Sequence, residues 1–478
     1  MVDSFHMTVN GQSVAHHRTL PVVNPATGQI FAEAPDCTAA ELDAAVVAAR
    51  EAFPAWAATP IAERQAAIRA FGQIIRDNLE ELKAIFTKEQ GKPVAMAEME
   101  LFYSAMWCDG CSMLAPPVTV IEDTDERIIE VRHPPLGVVC GIVPWNFPIM
   151  LAIMKLAPAL VAGCTMVLKP APTTPLTLLR IAELAAGVLP PGVLNVVSGG
   201  EALGPMMTAH PGFDKISFTG SSATGSLVMA TAATSLKRVT LELGGNDPAI
   251  VLPDVDVATL APVLFWAAFQ NSAQFCLASK RLYIHEDIYE PLTQAIIDYA
   301  HTVAMGDGFE PGVRLGPIQN ERQFNRVRKL VEQAKADGLS PRYEGAVPAG
   351  PGFFFPVTIF DNPPHDAAIV TEEAFGPVLP ILRFGTIDEV VDAANASDYG
   401  LGASVWSADW EKARAVAERL ESGVVWVNEI HYQTPFTPMG GWKQSGLGVE
   451  NGVEGLLEYT ATQTLSMRKA PAAVTPFA

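Results

Sequence analysis

The spacing of apolar positions divides the chain into stretches of different period. Between residues 36 and 90 apolar side chains recur at helical spacing through Ile85. A Thr at position 38 with Glu three residues later, Glu41, forms a capping box and marks where that helical region begins. Over residues 117–133 the period changes. Val118–Ile121 and Ile128–Arg132 alternate or are β-branched on either side of the polar run Glu122–Arg127, which predicts a hairpin. From Val138 a regular alternation sets in. Strands are predicted over 138–143, 165–169, 193–197, 215–218 and 238–241, with helices over 149–161, 176–188 and 201–209 between them. After Gly245 the pattern restarts with a strand at 249–252, a helix at 257–271, a strand at 281–284 and a helix at 287–304; later strands fall at 378–382 and 424–427. Apolar strands alternating with helices imply an α/β fold with parallel sheets covered on both faces. Such sheets bind ligands at the carboxyl ends of their strands. No tandem repeat at solenoid periods is present.

Residues 134–154 carry no charge over a length that could span a bilayer. Pro134, Pro135, Pro144, Pro148 and Asn146 interrupt that run and Lys155 follows it, so a strand, a loop and a helix start fit better than a membrane helix. At 478 residues, 49% apolar and 18% charged, the chain is expected to fold as two or three globular domains. The tail after Lys469 reads as loose. A net charge of −20 repels phosphate backbones and argues against nucleic acid as a partner. The start, Met1 to Met7, holds Asp3 and no apolar h-region, so no signal peptide is expected. Six cysteines in this length do not read as a disulfide framework, and a reducing cytoplasm is the expected location. Cys108 and Cys111 form a single C-x-x-C on an apolar helical face, read as buried thiols; no metal site is expected.

The candidate chemistry lies at strand ends. Glu242 closes a buried strand in Leu241-Glu-Leu-Gly-Gly, and a carboxylate there is costly unless used or paired. Cys276 follows in the second α/β unit. A thiol with a separate carboxylate suits covalent attack followed by hydrolysis. Pro144-Trp-Asn-Phe-Pro148 is a loop fixed by two prolines, from which Asn146 can aim an amide N–H at a developing oxyanion. No G-x-G-x-x-G follows any strand. Phe218-Thr-Gly-Ser-Ser-Ala-Thr-Gly225 is the nearest substitute, a strand-to-helix junction where Gly220 permits close approach and a helix N-terminus offers free N–H groups to a pyrophosphate. Lys169, at a strand end before the Pro-rich loop 170–175, suits ribose hydroxyls or phosphate, or simply faces solvent before a turn.

Taken in order, Pro144-Trp-Asn-Phe-Pro, Lys169-Pro, Phe218-Thr-Gly-Ser, Leu241-Glu-Leu-Gly-Gly, Gln274-Phe-Cys, Glu372-Glu-Ala-Phe-Gly-Pro377 and Gly440-Gly-Trp-Lys-Gln-Ser-Gly446 resemble the NAD(P)-dependent aldehyde dehydrogenase superfamily, from about Val22 to Tyr459. The resemblance implies an α/β fold of two Rossmann-like parallel domains plus a small β oligomerisation element. Residues 1–115 and 137–245 would bind cofactor, 246–440 would carry the thiol, and 116–136 with 457–470 would form the oligomerisation hairpin and strand of a homodimer or homotetramer. It implies Cys276 as nucleophile, Asn146 and the Cys276 N–H as oxyanion donors, and Glu242 as the base that hydrolyses a thioester. Lys155 and Glu450 match positions tied to a proton path. Lys169 and Glu373 would hold ribose hydroxyls, Phe375 would lie at the nicotinamide end, and Trp145 would line the cofactor cleft. Thr219, Gly220, Ser221, Gly225 and Leu243 complete the expected cofactor site.

Three departures stand out. The usual glycine three residues before the thiol is Ala273, the usual Arg before Glu450 is Val449, and the acidic residue often found three after the ribose-binding Lys is Pro172. That carboxylate would favour NAD by repelling a 2′-phosphate. No Arg or Lys replaces it between Pro170 and Pro175, so NAD is favoured and NADP stays open. Phe102, Trp107, Phe147, Met150, Phe275, Leu277, Tyr432 and Met439 are the candidate substrate-pocket residues. Such a set suits an apolar or aromatic aldehyde. A semialdehyde carboxylate would want an Arg fork, and none stands among these positions. A semialdehyde dehydrogenase that prefers NADP is the alternative enzyme reading, and a catalytically weak binding protein the non-enzymatic one.

Overall fold

A computed structural model describes residues 4–15 and 17–470. The expected loose tail after Lys469 falls almost wholly outside them. Among the described residues the backbone of the molecule is two large sheets. The first, of eight strands, runs in the order Gln12–Val14, Met7–Val9, Leu194–Val196, Thr165–Lys169, Val138–Ile142, Lys215–Thr219, Arg238–Glu242 and Gly446–Leu447. Its five central strands are parallel. The second, of seven strands, runs Pro341–Glu344, Thr358–Asp361, Val378–Phe384, Ser279–His285, Asp247–Val251, Gly402–Trp406 and Val424–Val427, parallel throughout except at its first edge. Central strands such as Thr165–Lys169 and Lys215–Thr219 are buried along their whole length, as unbroken apolar runs between helices require. A separate three-stranded sheet pairs Gln463–Arg468 with Arg127–Arg132 and Thr119–Asp123.

The capping box forms: Thr38 accepts the Glu41 N–H, and the Glu41 carboxylate returns to the Thr38 N–H. Helices then occupy Ala39–Ala58, Ile61–Asp77 and Leu79–Gln90. The hydrophobic core of the first sheet takes residues from Phe5 to Leu243 and then Leu456 and Tyr459. The chain therefore returns to its first unit at the end. Gly446–Leu447 adds an antiparallel edge strand to Leu241 and Glu242, a pairing that local periodicity does not announce. Cys108 and Cys111 are buried free thiols in the helix Val94–Cys111. No helix among the described residues is long and apolar enough to cross a membrane.

Candidate active site

The strand order of the first sheet reverses beside Val138–Ile142: the next strand in sequence lies on one side of it and Lys215–Thr219 on the other. Open parallel sheets bind ligands at such a switch point. Register brings Ile142 opposite Lys169 and Phe218, and Thr219 opposite Glu242, so the loops bearing Asn146, Lys169, Gly220 and Glu242 leave one edge together.

Asn146 sits in a rigid socket. Its carbonyl oxygen accepts from Lys92 Nζ (3.1 Å), Asn271 Nδ2 (3.1 Å) and Gln90 Nε2 (3.4 Å), while its own Nδ2 donates to Gln274 O (3.0 Å), two residues before the thiol. Lys92 also pairs with Glu100 in the interior, and Glu100 Oε1 accepts the N–H groups of Ile149 and Met150 at the start of the next helix. Sequence reading passed over Gln90, Lys92, Glu100 and Asn271. Nothing in their local sequence marks them; their burial in the fold does.

Cys276 lies half-buried between the short turn Gln270–Ala273 and the strand Ser279–His285. Apolar surroundings push its thiol up to about 12; Lys280 pulls the other way, and the carboxylates of Asp247, Glu242 and Glu373 add to the rise. The approach to it is unusual. Asn271, Ser272 and Ala273 all take positive φ, at 52°, 54° and 58°. Position 273 is thus where a glycine would sit without strain, which gives the departure at Ala273 a physical meaning.

Glu242 is 3% exposed, and neither carboxylate oxygen has a hydrogen-bond partner. Burial holds its carboxyl well above the usual carboxylate range, with Glu450 adding to the rise and Lys155 opposing it. Lys155 and Glu450 pair at 2.6 Å, and Ser217 Oγ reaches Glu450 at 3.4 Å. A buried carboxyl with both oxygens free can take a proton from water or give one back.

Several features fit a dinucleotide. The Lys169 ammonium is 4% exposed with one acceptor, Pro170 O at 3.1 Å, which leaves donors unused; burial lowers its pKa to about 8. Thr219 Oγ1 is buried without a partner. A Cβ on Gly220 would meet the Phe218 ring at 2.5 Å and one on Gly225 would meet Leu243 at 2.4 Å, so a side chain at either position would displace a neighbour at this junction. Ser221 caps the helix Ser222–Ala233 by accepting the Thr224 N–H, and the remaining N–H groups of that first turn are free to face an anion. Trp145 and Phe375 meet edge to face, 5.4 Å between centroids. Glu373 Oε1 accepts the Gly245 N–H at 3.2 Å.

A cavity of about 730 Å³ opens beside the thiol. Met96, Met99, Met106, Met113, Met150, Met154 and Met439 line it, seven of the chain's fifteen methionines. Trp107, Phe147, Phe275, Leu277 and Tyr432 line it as well. Phe102 does not. It is 57% exposed, because the lining face of Val94–Cys111 follows Met96, Met99, Tyr103, Met106 and Gly110 at steps of three and four, and Phe102 stands one residue off that stripe. No Lys or Arg lines the cavity. Its carboxylates are already engaged: Glu100 with Lys92, Asp109 with Arg76. His431, another lining residue, donates from Nε2 to Leu277 O (3.0 Å) and packs on Phe275; burial lowers its pKa to about 4, so the ring is neutral.

Comparison with known proteins agrees with this geometry. The model of the aldehyde dehydrogenase family matches residues 12–465. Phenylacetaldehyde dehydrogenase of Pseudomonas fluorescens is 39% identical, over 96% of this chain and 93% of that protein. The structure of the NAD-dependent aldehyde dehydrogenase from Sinorhizobium meliloti superposes with a TM-score of 0.94 at 35% identity, covering 98% of this chain and 96% of that one. The NAD+ complex of aldehyde dehydrogenase from Bacillus cereus gives 0.92 at 35% identity, covering 98% and 97%. The chain belongs to the aldehyde dehydrogenase family, as an oxidoreductase acting on aldehydes.

Proposed function

We propose that this enzyme oxidises apolar or aromatic aldehydes to carboxylic acids with NAD+. The observation that carries the substrate class is the cavity beside Cys276, walled by thioethers and aromatic rings and free of any cation. Thioether side chains adapt their shape, so a flexible or bulky apolar group can be seated there. A carboxylated aldehyde would bury its charge unpaired.

In this reading the Cys276 thiolate bonds through Sγ to the aldehyde carbon, and the oxyanion that the carbonyl becomes is held by Asn146 Nδ2 and the Cys276 N–H. Lys169 and Glu373 hold ribose hydroxyls, the first turn after Ser221 meets the pyrophosphate, and Trp145 and Phe375 flank the nicotinamide end. Bound NAD+ supplies the acceptor for the hydride that the thiohemiacetal loses. Glu242 then takes a proton from water, and the hydroxide so formed attacks the thioester, freeing the acid and the Cys276 thiolate. Lys155 and Glu450 carry that proton onward. Residues 1–115 and 137–245 make the cofactor domain and 246–440 the thiol-bearing one. The exposed Val118, Val120 and Ile121 at the small sheet support its use between copies in a homodimer or homotetramer. Six free thiols suit a reducing cytoplasm.

NAD+ is preferred to NADP+ because residues 170–175, after the ribose-binding Lys169, offer no cation for a 2′-phosphate, and the Sinorhizobium and Bacillus relatives use or bind NAD. The test is the absorbance of reduced cofactor with aliphatic, aromatic and carboxylated aldehydes, each with both cofactors. A preference for carboxylated substrates would sink the substrate class. Cys276→Ala should produce no reduced cofactor while still binding NAD+, and Glu242→Gln should give a burst and then stall.

A further inference from the structure

One buried cation near the thiol has no part in the steps above. Lys280, in the strand Ser279–His285, is 8% exposed. Its Nζ donates to the carbonyl oxygens of Cys276 and Ala278 and stands 3.4 Å from Glu373 Oε1. The same Glu373 oxygen accepts the N–H of Gly245, three residues past Glu242. Asp247, buried nearby, also feels this ammonium, as does the neutral His431 ring. Burying an ammonium costs several kcal/mol that an apolar residue would not incur. What the cation supplies here is a direct link from one carboxylate to the backbone of the thiol loop.

We propose that Lys280 is a positioning residue that couples Glu373 to the Cys276 loop, so that filling the ribose site changes the orientation and reactivity of the thiol. The inference rests on the reading of Glu373 as a ribose-holding residue. A carboxylate that accepts ribose hydroxyls spends part of its charge on them and neutralises Lys280 less. The ammonium then acts more strongly on Cys276, where it is the one group favouring thiolate against Asp247, Glu242 and Glu373.

The test is the rate at which iodoacetamide alkylates Cys276 in the full-length protein, with and without saturating NAD+, located by peptide mass. The other five cysteines are buried. In the wild type NAD+ should change the rate. Lys280→Met should react roughly tenfold more slowly without NAD+, because the one group favouring the thiolate is gone, and its rate should no longer respond to NAD+. Lys280→Arg keeps the charge but not the compact reach; its rate without NAD+ should stay near wild type while the response shrinks. Simple shielding by NAD+ would persist in both variants, so an unchanged response in Lys280→Met overturns the proposal, as does a wild type with no response. Should Lys280→Met fail to melt cooperatively, Lys280→Arg decides alone, and a full wild-type response in it is the overturning result. Titration of NAD+ by quenching of tryptophan fluorescence separates the two ideas: a wild type that neither binds NAD+ nor oxidises aldehydes refutes the proposed function itself.

Discussion

Lys155 and Glu450, 295 positions apart in the chain, meet as a buried ion pair with Nζ and Oε1 2.6 Å apart. They act on Glu242 with opposite signs. Glu450 raises its pKa and Lys155 lowers it. The proposed hydrolysis uses ionised Glu242, so the rate should rise with pH through that elevated pKa. Glu450→Gln should move this limb to lower pH and Lys155→Met to higher pH. Steady-state pH–rate profiles decide; shifts in the same direction would refute the assignment.

The cavity makes a quantitative demand on substrates. Each methylene buried there adds about 0.8 kcal/mol, or roughly a fourfold gain in kcat/KM, until the space is filled. A terminal carboxylate on the same chain should cost roughly 100-fold, the low end of the penalty for burying an unpaired charge. A homologous series of aliphatic aldehydes with their ω-carboxylated counterparts measures both; a flat series would mean that the chain does not enter the cavity.

Ala273 holds a φ of 58° immediately after two other left-handed residues. An L-residue loses about 1–2 kcal/mol in that region, of which glycine's freer unfolded chain would give back about 0.4–1 kcal/mol. Ala273→Gly should therefore stabilise the fold by about 0.5–1 kcal/mol in urea unfolding, and lower stability would show that the turn is unstrained with alanine.

Asp247 sets a pH dependence of stability. Its carboxyl is raised from 3.8 to about 7, chiefly by burial. The folded state thus favours the protonated acid. That contribution is complete below the ordinary pKa and disappears as pH rises through about 7. Asp247→Asn should flatten the fall in urea midpoint across this window. Glu89, raised to about 7 mainly by burial, keeps part of the slope in the variant.

The parallel strands could be read from their apolar runs because each is buried on both faces and needs no partner to reveal its period. The strands at 138–142, 165–169 and 215–219 match that expectation closely. Gly446–Leu447 is a two-residue edge strand that only its distant pairing with Leu241 and Glu242 makes a strand, and the short hairpin Met7–Val9 with Gln12–Val14 joins the sheet only through Thr8 and Val196. The same divide runs through the site. Cys276, Glu242 and Asn146 become candidates through the ordered motifs that carry them, since each alone reads equally as a structural position. Lys92 and Lys280 look like ordinary surface lysines in sequence, and tertiary burial alone gives them their places. Phe102 was misplaced by one helical step, because an apolar cluster names a helix face without fixing its phase.

The strand Gly446–Leu447 and the side chain of Glu450 have a consequence for biosynthesis. A nascent chain that has emerged through Val427 already holds every strand of the second sheet and all but one of the first. Lys155 nevertheless still lacks its counter-charge, and the edge beside Glu242 is still open. Completion of the group around Glu242, the hydrolytic half of the proposed mechanism, is therefore among the last events of synthesis. A truncated product ending before residue 446 would keep Cys276 while lacking the edge strand beside Glu242 and the Glu450 carboxylate that acts on it.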